Sequence, residues 1–335
     1  MDERTEPGTA YRWSRLTEDD APAWSDLVNH LAVVDGTEEF LSAEDLVEEL
    51  RSPGHDPATD SWAVWQEDAM VAYGVALAPP TTDHEGTARG IVSGGVHADH
   101  RGRGLGSALL DRLEPRATEL VGERHPGAPA YLTASGGRQG STSQQLLSDR
   151  GYAVVRWFNL LGRPVTDGPA VPQLEGVELR APRPEDEEAV RLAHNAAFRD
   201  HWGSGPSAPE HWHEHWTSRS ARPAVSTLVW GRGGELDGQV LAYVMVGQWV
   251  EREAYVTILG TVPQARGRGI AAAALARTIA EAERSGDFDV IELDVDSDSL
   301  TGATRLYERL GFVQKHSTCA MRRTVPQTVE RRQAG

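Results

Sequence analysis

The stretch RGRGLG, residues 101–106, recurs as RGRGIA at residues 266–271. Each copy follows a strand-like run, ARGIVSGGV or EAYVTILGTV. Each precedes a segment, SALLDRLEPRATEL or AAALARTIAEAERS, whose apolar residues recur every three to four positions, as on a helix face. A strand that passes through such a turn into a helix has a defined physical use. Glycine lets the backbone turn tightly and approach a ligand with no Cβ in the way. The first N–H groups of the helix lack intrahelical partners and, with the helix dipole, suit a diphosphate. In the first copy the residues of this turn are Arg101, Gly102, Arg103, Gly104, Leu105 and Gly106, after Val96. In the second they are Arg266, Gly267, Arg268, Gly269, Ile270 and Ala271. Arg101 and Arg266 are expected to add positive charge at the rim. The pattern is not G-x-G-x-x-G, because Ser107 or Ala272 takes the third glycine place, and no Gly-Lys-Ser/Thr follows. A dinucleotide turn and a Walker loop are therefore disfavoured.

Two further landmarks repeat in the same order. LLSDRGY at 146–152 recurs as LYERLGF at 306–312, and Asp19–Asp20 leading to Asn29 recurs as Glu185–Asp186 leading to Asn195. The nearly constant offset predicts a duplicated unit of about 160 residues. Within each unit the pattern runs helix (23–33; 185–198), several strands (SWAVWQ and MVAYGVALA; STLVWG and QVLAYVMVGQW), the turn and its helix. A strand (AYLTAS; DVIELDV), a short helix and a last strand (YAVVRWFNLLG; FVQKHSTCAMR) complete it. The expected fold is α/β: two tandem domains, each a central mixed β-sheet flanked by helices. Pro, Gly and polar residues cluster at 162–176. The expected division is therefore an N-terminal domain at 1–163, a linker at 164–176, a C-terminal domain at 177–323 and a flexible tail at 324–335.

Both copies resemble the GCN5-related N-acetyltransferases (GNAT), whose acyl-CoA motif reads Arg/Gln-x-x-Gly-x-Gly/Ala after a strand. VHADHRGRGLGSALL at 96–110 and TVPQARGRGIAAAAL at 261–275 both fit it, and ATRLYERLGF at 303–312 is similar to the family's second signature. Where the family usually has an asparagine, three residues before Ala303, this chain has Leu300. Two such domains in one chain resemble the tandem acetyltransferases of actinobacteria. The resemblance implies acetyl-CoA as co-substrate, held at both glycine turns, with no metal. It also implies a free strand amide near Leu259, Gly260 and Thr261 for the thioester carbonyl, and a strand that parts from its neighbour through a bulge to free that amide.

Acetyl transfer to an amine needs a base, because an alkyl ammonium has a pKa of about 10.4, and an acid for the leaving thiolate. The family places a tyrosine near the sulfur, which puts Tyr307 in the acid's role. The first copy has Leu147 there, which cannot donate a proton. The second domain is therefore expected to be catalytic, and the first either binds acyl-CoA or only supports the fold. The family commonly supplies the base as a strand carboxylate acting through water. Glu253 is the expected residue, with Glu251, Asp294 and Asp296 as rivals; in the tandem group the glutamate sits nearer the turn, about where Tyr255 stands. The segment HWGSGPSAPEHWHEHW at 201–216 is expected to wall the acceptor site, with two readings open for Trp202, Trp212 and Trp216: cover for an apolar or sugar-like acceptor, or aromatic packing under a lid. The spacing of His211 and His215 alone is not enough for zinc. The acidic runs at 38–39, 44–45 and 48–49 read as a solvated helix face, or as an attraction for a cationic amine.

Composition bounds the partners. Fifty acidic against 33 basic side chains give a net charge of −17, which argues against a nucleic-acid binder. The single cysteine, Cys319, excludes an intramolecular disulfide framework. No apolar run is long enough to span a membrane, and the charged start MDERTEPGTA predicts no signal peptide, so the cytoplasm is the expected compartment. The expected acceptor is a small-molecule amine: a mycothiol precursor, an aminoglycoside-like polyamine and an amino-acid derivative stay open, as does a protein N-terminus. A longer acyl chain and a noncatalytic acyl-CoA sensor also stay open, with the protein a monomer or homodimer.

Overall fold

The architecture comes from a computed structural model describing residues 11–298 and 302–326. The first copy runs β1 (Arg12–Ser14), α1 (Ala21–Asp35), α2 (Ala43–Leu50), α3 (Pro57–Asp60), β2 (Ser61–Gln66), β3 (Ala69–Leu77) and β4 (Ala88–Val96). It continues through α4 (Leu105–Arg124), β5 (Ala130–Arg138), α5 (Thr142–Asp149) and β6 (Ala153–Pro164). The second runs β7 (Val177–Arg180), α6 (Glu187–Ala197), α7 (Pro209–Thr217), β8 (Thr227–Gly231), β9 (Val240–Gly247) and β10 (Glu253–Thr261). It ends with α8 (Ile270–Ser285), β11 (Val290–Asp296), α9 (Ala303–Arg309) and β12 (Val313–Val325). The periodicity therefore located α1, β2–β6, α4 and α5 in the first copy and α6, β8–β12, α8 and α9 in the second, and the mixed α/β class holds; the short strands β1 and β7 and helix α3 carried no such pattern. Leu300 and residues 327–335 of the expected tail lie outside the described residues, whereas Thr324 and Val325 complete β12.

The chain packs as two units, and neither is contiguous. One takes residues up to Glu38, Gly54–Val155 and Cys319 onward; the other takes Glu39–Pro53 and Arg156–Thr318. Each copy thus gives part of its last strand to the other unit: residues 156–164 of β6 belong to the second unit and residues 319–325 of β12 to the first. In the first unit the sheet order is β1-β2-β3-β4-β5, followed by the C-terminal part of β12. There Thr133 Oγ1 donates to the Met321 carbonyl at 3.1 Å, and Cys319 and Met321 fill the space that a Cβ on Gly136 would need. In the second unit the order is β6-β11-β10-β9-β8-β7, with β6 antiparallel to β11 from Pro164↔Val290 to Phe158↔Asp296. The segment 164–176 begins inside this second unit, where Val165 joins the core.

Helix α8 shows how composition sets the packing. Ala273, Ala274, Leu275, Ala276, Ile279 and Ala282 are all buried, and these small side chains let the helix lie close against β8, β9 and β10. Across the second unit, Asp186 accepts both guanidinium N–H bonds of Arg180, at 2.6 and 2.7 Å, and accepts from the Arg183 amide, which ties β7 to the start of α6. No helix among the described residues is long and apolar enough to cross a membrane.

Candidate active site

The two glycine turns fold alike. Gly102 and Gly104 have φ of 71° and 84°, and Gly267 and Gly269 have 74° and 75°, the left-handed region that glycine enters without a Cβ penalty. Around all four, the space a Cβ would occupy is open, so conformation and not crowding demands glycine there. Gly104 and Gly269 are the N-caps of α4 and α8, and neither helix start has a side-chain cap. The first amides of each helix are thus left for another acceptor. Arg103 and Arg268 are exposed on the turns. These residues fit a diphosphate such as that of acetyl-CoA.

Arg101 and Arg266 each tie the turn to its surroundings. Arg101 makes two bonds to Asp35, at 2.8 and 2.7 Å, and donates from Nε to the Val96 carbonyl at 3.1 Å. Arg266 donates to the carbonyl of Ala197, the last residue of α6, at 2.8 Å and to that of Thr261 at 3.3 Å. Each guanidinium clamps the strand end and the end of the preceding helix to the turn. The sequence pattern carried no signal for this, because the partners lie about 65–70 residues away in the chain.

The strand before each turn leaves its parallel neighbour. β10 pairs with β11 only from Glu253↔Val290 to Tyr255↔Glu292, although β10 runs on to Thr261 and β11 to Asp296. Against β9 the register of β10 shifts between Val256 and Ile258, which makes Thr257 the extra residue of a bulge. Leu259, Gly260 and Thr261 pair with Val244, Tyr243 and Ala242 on β9, and their other edge faces the fork. In the first unit β4 leaves β5 after Ile91↔Thr133, and Ser93 and Gly94 are exposed in mid-strand. No register shift interrupts β3–β4 there.

Tyr307 sits on α9, 6% exposed, with its ring edge-on to Phe312 at 6.0 Å. Burial pushes its phenol up to about 12, so the proton stays on at neutral pH. Leu147, its counterpart, is buried on α5. Glu253 is the first residue of β10, at the paired end of the strand, four positions before the bulge.

The three tryptophans of 201–216 lie in different surroundings. Trp212 is 2% exposed and belongs to the core, packed on the rings of His194 and His215. Trp216 packs partly buried against that core, and Trp202 lies under the Arg156 guanidinium at 4.9 Å. The exposed ring is Trp249, edge-on to Tyr255 at 6.0 Å. His215 Nε2 is 3.5 Å from Thr257 Oγ1, and burial lowers the pKa of its imidazole. Among the described residues no group of three or more His, Cys, Asp or Glu side chains is arranged to hold a metal ion.

The acidic runs are not uniformly solvated. Asp45 is buried, closes a capping box with Ser42 at the start of α2, and pairs with Arg219. Glu39 is reachable by solvent yet closely surrounded by protein. That enclosure first, and the charge of Asp294 second, push its carboxyl pKa up. Burial raises Glu49 in the same direction.

A family model described as "Acetyltransferase (GNAT) family" matches residues 13–125 and 188–312. A protein of Salinispora arenicola described as mycothiol acetyltransferase is 32% identical over 324 residues, covering 92% of this chain and 96% of that protein. A protein of the same description from Brachybacterium faecium is 32% identical over 67% of this chain and 65% of its own length. Among solved structures, a GCN5-related N-acetyltransferase from Sphaerobacter thermophilus aligns with a TM-score of 0.76 and 26% identity, over 96% of this chain and 98% of that one. A tandem GNAT protein from the clavulanic acid biosynthesis pathway shares the fold, with a TM-score of 0.64 and 18% identity over 95% and 99% of the two chains.

Proposed function

The chain belongs to the GNAT acetyltransferase family, as an acyl-CoA-dependent N-acetyltransferase with acetyl-CoA as co-substrate, and we propose that its second copy transfers the acetyl group to the primary amine of a small molecule by direct attack. The observation that carries this reading is the coincidence, in that copy, of the glycine turn, the open strand fork and a buried tyrosine. The first copy has the turn and the fork but Leu147 in place of the tyrosine.

In this reading acetyl-CoA supplies a thioester carbonyl and a thiolate leaving group. The turn Arg266–Ala271 and the start of α8 hold its diphosphate. An amide of Leu259–Thr261 facing the fork donates to the carbonyl oxygen, where negative charge develops. Tyr307 gives its proton to the leaving sulfur, and a carboxylate on the acceptor side takes one from the amine. In sequence terms residues 177–323 carry the reaction and residues 1–163 do not, with 164–176 linking them. In this reading a mycothiol precursor comes first among acceptors, ahead of a polyamine, an amino-acid derivative and a protein N-terminus; the likeness to relatives described as mycothiol acetyltransferases supports that order.

The test is thiol release from acetyl-CoA by purified protein over a panel of those amines. Turnover with one small amine supports the reading. Acetyl-CoA binding without turnover on any of them would instead make the protein an acyl-CoA sensor.

A further inference from the structure

The fork of the second unit carries a carboxylate at its apex. The last paired residues of β10 and β11 are Tyr255 and Glu292. Strand alternation makes Asp294 the next residue of β11 on the Glu292 face, just past that pair and level with the Thr257 bulge. The Tyr255 hydroxyl donates to Asp294 Oδ2 at 2.6 Å. Asp294 is exposed, and among the described residues its Oδ1 has no hydrogen-bond partner. Glu253 is different. It lies four residues before the bulge, roughly 13 Å along the strand, where β10 is still paired with β11.

We propose that Asp294, held by Tyr255, is the base that deprotonates the acceptor amine, and that the site selects an acceptor arriving as a cation; the proposal rests on the N-acetyltransferase reading. Three groups besides Asp294 set the field there. Tyr255 faces it from β10, Glu39 from the segment before α2, and Glu292 from β11 itself. Glu292 is neutralised by Lys315 Nζ at 2.7 Å, whereas Glu39 adds negative character. Burial and the neighbouring charges hold the Tyr255 phenol well above its ordinary value, so it stays a donor and keeps one carboxylate oxygen fixed. In the reaction the ammonium proton passes to Asp294, the freed amine nitrogen forms the C–N bond, the thioester C–S bond breaks, sulfur takes the Tyr307 proton, and the second proton that the nitrogen sheds leaves to solvent, from which Tyr307 is reprotonated. Asp294 then loses its proton to solvent.

The experiment begins with wild-type protein on the amine panel. Absence of turnover there overturns the N-acetyltransferase reading and the assignment with it, whereas an effect confined to a variant bears on the assignment alone. On an amine that turns over, Asp294→Asn should lower kcat at pH 7 by about 10²-fold or more. Its rate should then recover as pH rises toward the amine's own pKa, while calorimetry shows acetyl-CoA affinity within about twofold of wild type, which also establishes that the variant folds. Tyr255→Phe, which frees the carboxylate oxygen that the phenol fixes at 2.6 Å, should lower kcat while KM and acetyl-CoA affinity stay near wild type; a merely structural tyrosine would leave kcat in place. Glu253→Gln should stay within about threefold. An Asp294→Asn enzyme that keeps its kcat and its pH profile, or a Glu253→Gln enzyme that takes the loss instead, overturns the assignment.

Discussion

The Tyr243 hydroxyl stands where a Cβ on Gly260 would have to go. The two residues are cross-strand partners on β9 and β10, and Tyr243 is fully buried. Its hydroxyl is hydrogen-bonded to His194 Nδ1 of α6 at 2.8 Å, and burial keeps the phenol protonated. Gly260 therefore lets α6 and the sheet close together directly beside the turn. Gly260→Ala should destabilise the protein by about 1–3 kcal/mol through overpacking. The urea midpoint should fall with an unchanged m-value. An unmoved midpoint would show that Tyr243 gives way at no cost.

The same histidine makes stability depend on pH. Burial, with His215 nearby, lowers the His194 imidazole to about 4, against an unfolded value of about 6.5. Between those pH values the unfolded chain binds more protons than the folded one. The contribution is thus complete above about pH 6.5 and is lost as pH falls toward 4, by an amount approaching about 3 kcal/mol. Urea denaturation at pH 7 and pH 5 measures it. His194→Phe should flatten the dependence, leaving the part due to His215, which is lowered in the same direction. An identical slope in the variant would place the proton elsewhere.

Range decides which of these features the sequence could disclose. The glycine turns, the α8 stripe and the strand–turn–helix order are local patterns, and each was legible from spacing alone. The bulge at Thr257 was an expectation of the chemistry, since an amide must be freed. The exchange of β6 and β12 between units was hidden, because both strands have the same alternation whichever sheet they join. The placement of α2 in the second unit was hidden as well. Its acidic residues look solvated in sequence, yet Asp45 is fixed by Arg219, 174 residues away. Trp212 packs in the core, one of the two readings open from sequence, where an aromatic at helical spacing looks the same whether it faces a ligand or the core.

The paired turns predict unequal responses to one substitution. Gly269→Glu places a carboxylate, and a Cβ at positive φ, at the N-terminus of α8. It should weaken acetyl-CoA binding by at least about tenfold, or ~1.4 kcal/mol, and cut turnover with it. Gly104→Glu makes the same change at α4 and should leave turnover intact, because the first copy lacks the tyrosine. Calorimetric titration then reads one site or two: a wild-type stoichiometry of two that falls to one in Gly104→Glu means that both copies bind acyl-CoA. Loss of turnover in Gly104→Glu would instead place chemistry in the first copy.

Tyr307→Phe isolates the proposed acid, since it removes only the hydroxyl and keeps the edge-on contact with Phe312. Turnover should fall by about 10²-fold, with acetyl-CoA affinity within about twofold of wild type, because the diphosphate is gripped elsewhere. The pH profile adds a second reading. Burial pushes this phenol up to about 12. A raised value means that the proton-bearing form persists across the working range, so Tyr307 should produce no basic limb in kcat below about pH 10. A wild-type profile that declines between pH 8 and pH 9, and loses that decline in Tyr307→Phe, would show a phenol far more acidic than its burial allows. Turnover that is unchanged in Tyr307→Phe would remove the residue from the proton path and leave the leaving sulfur to be protonated by water.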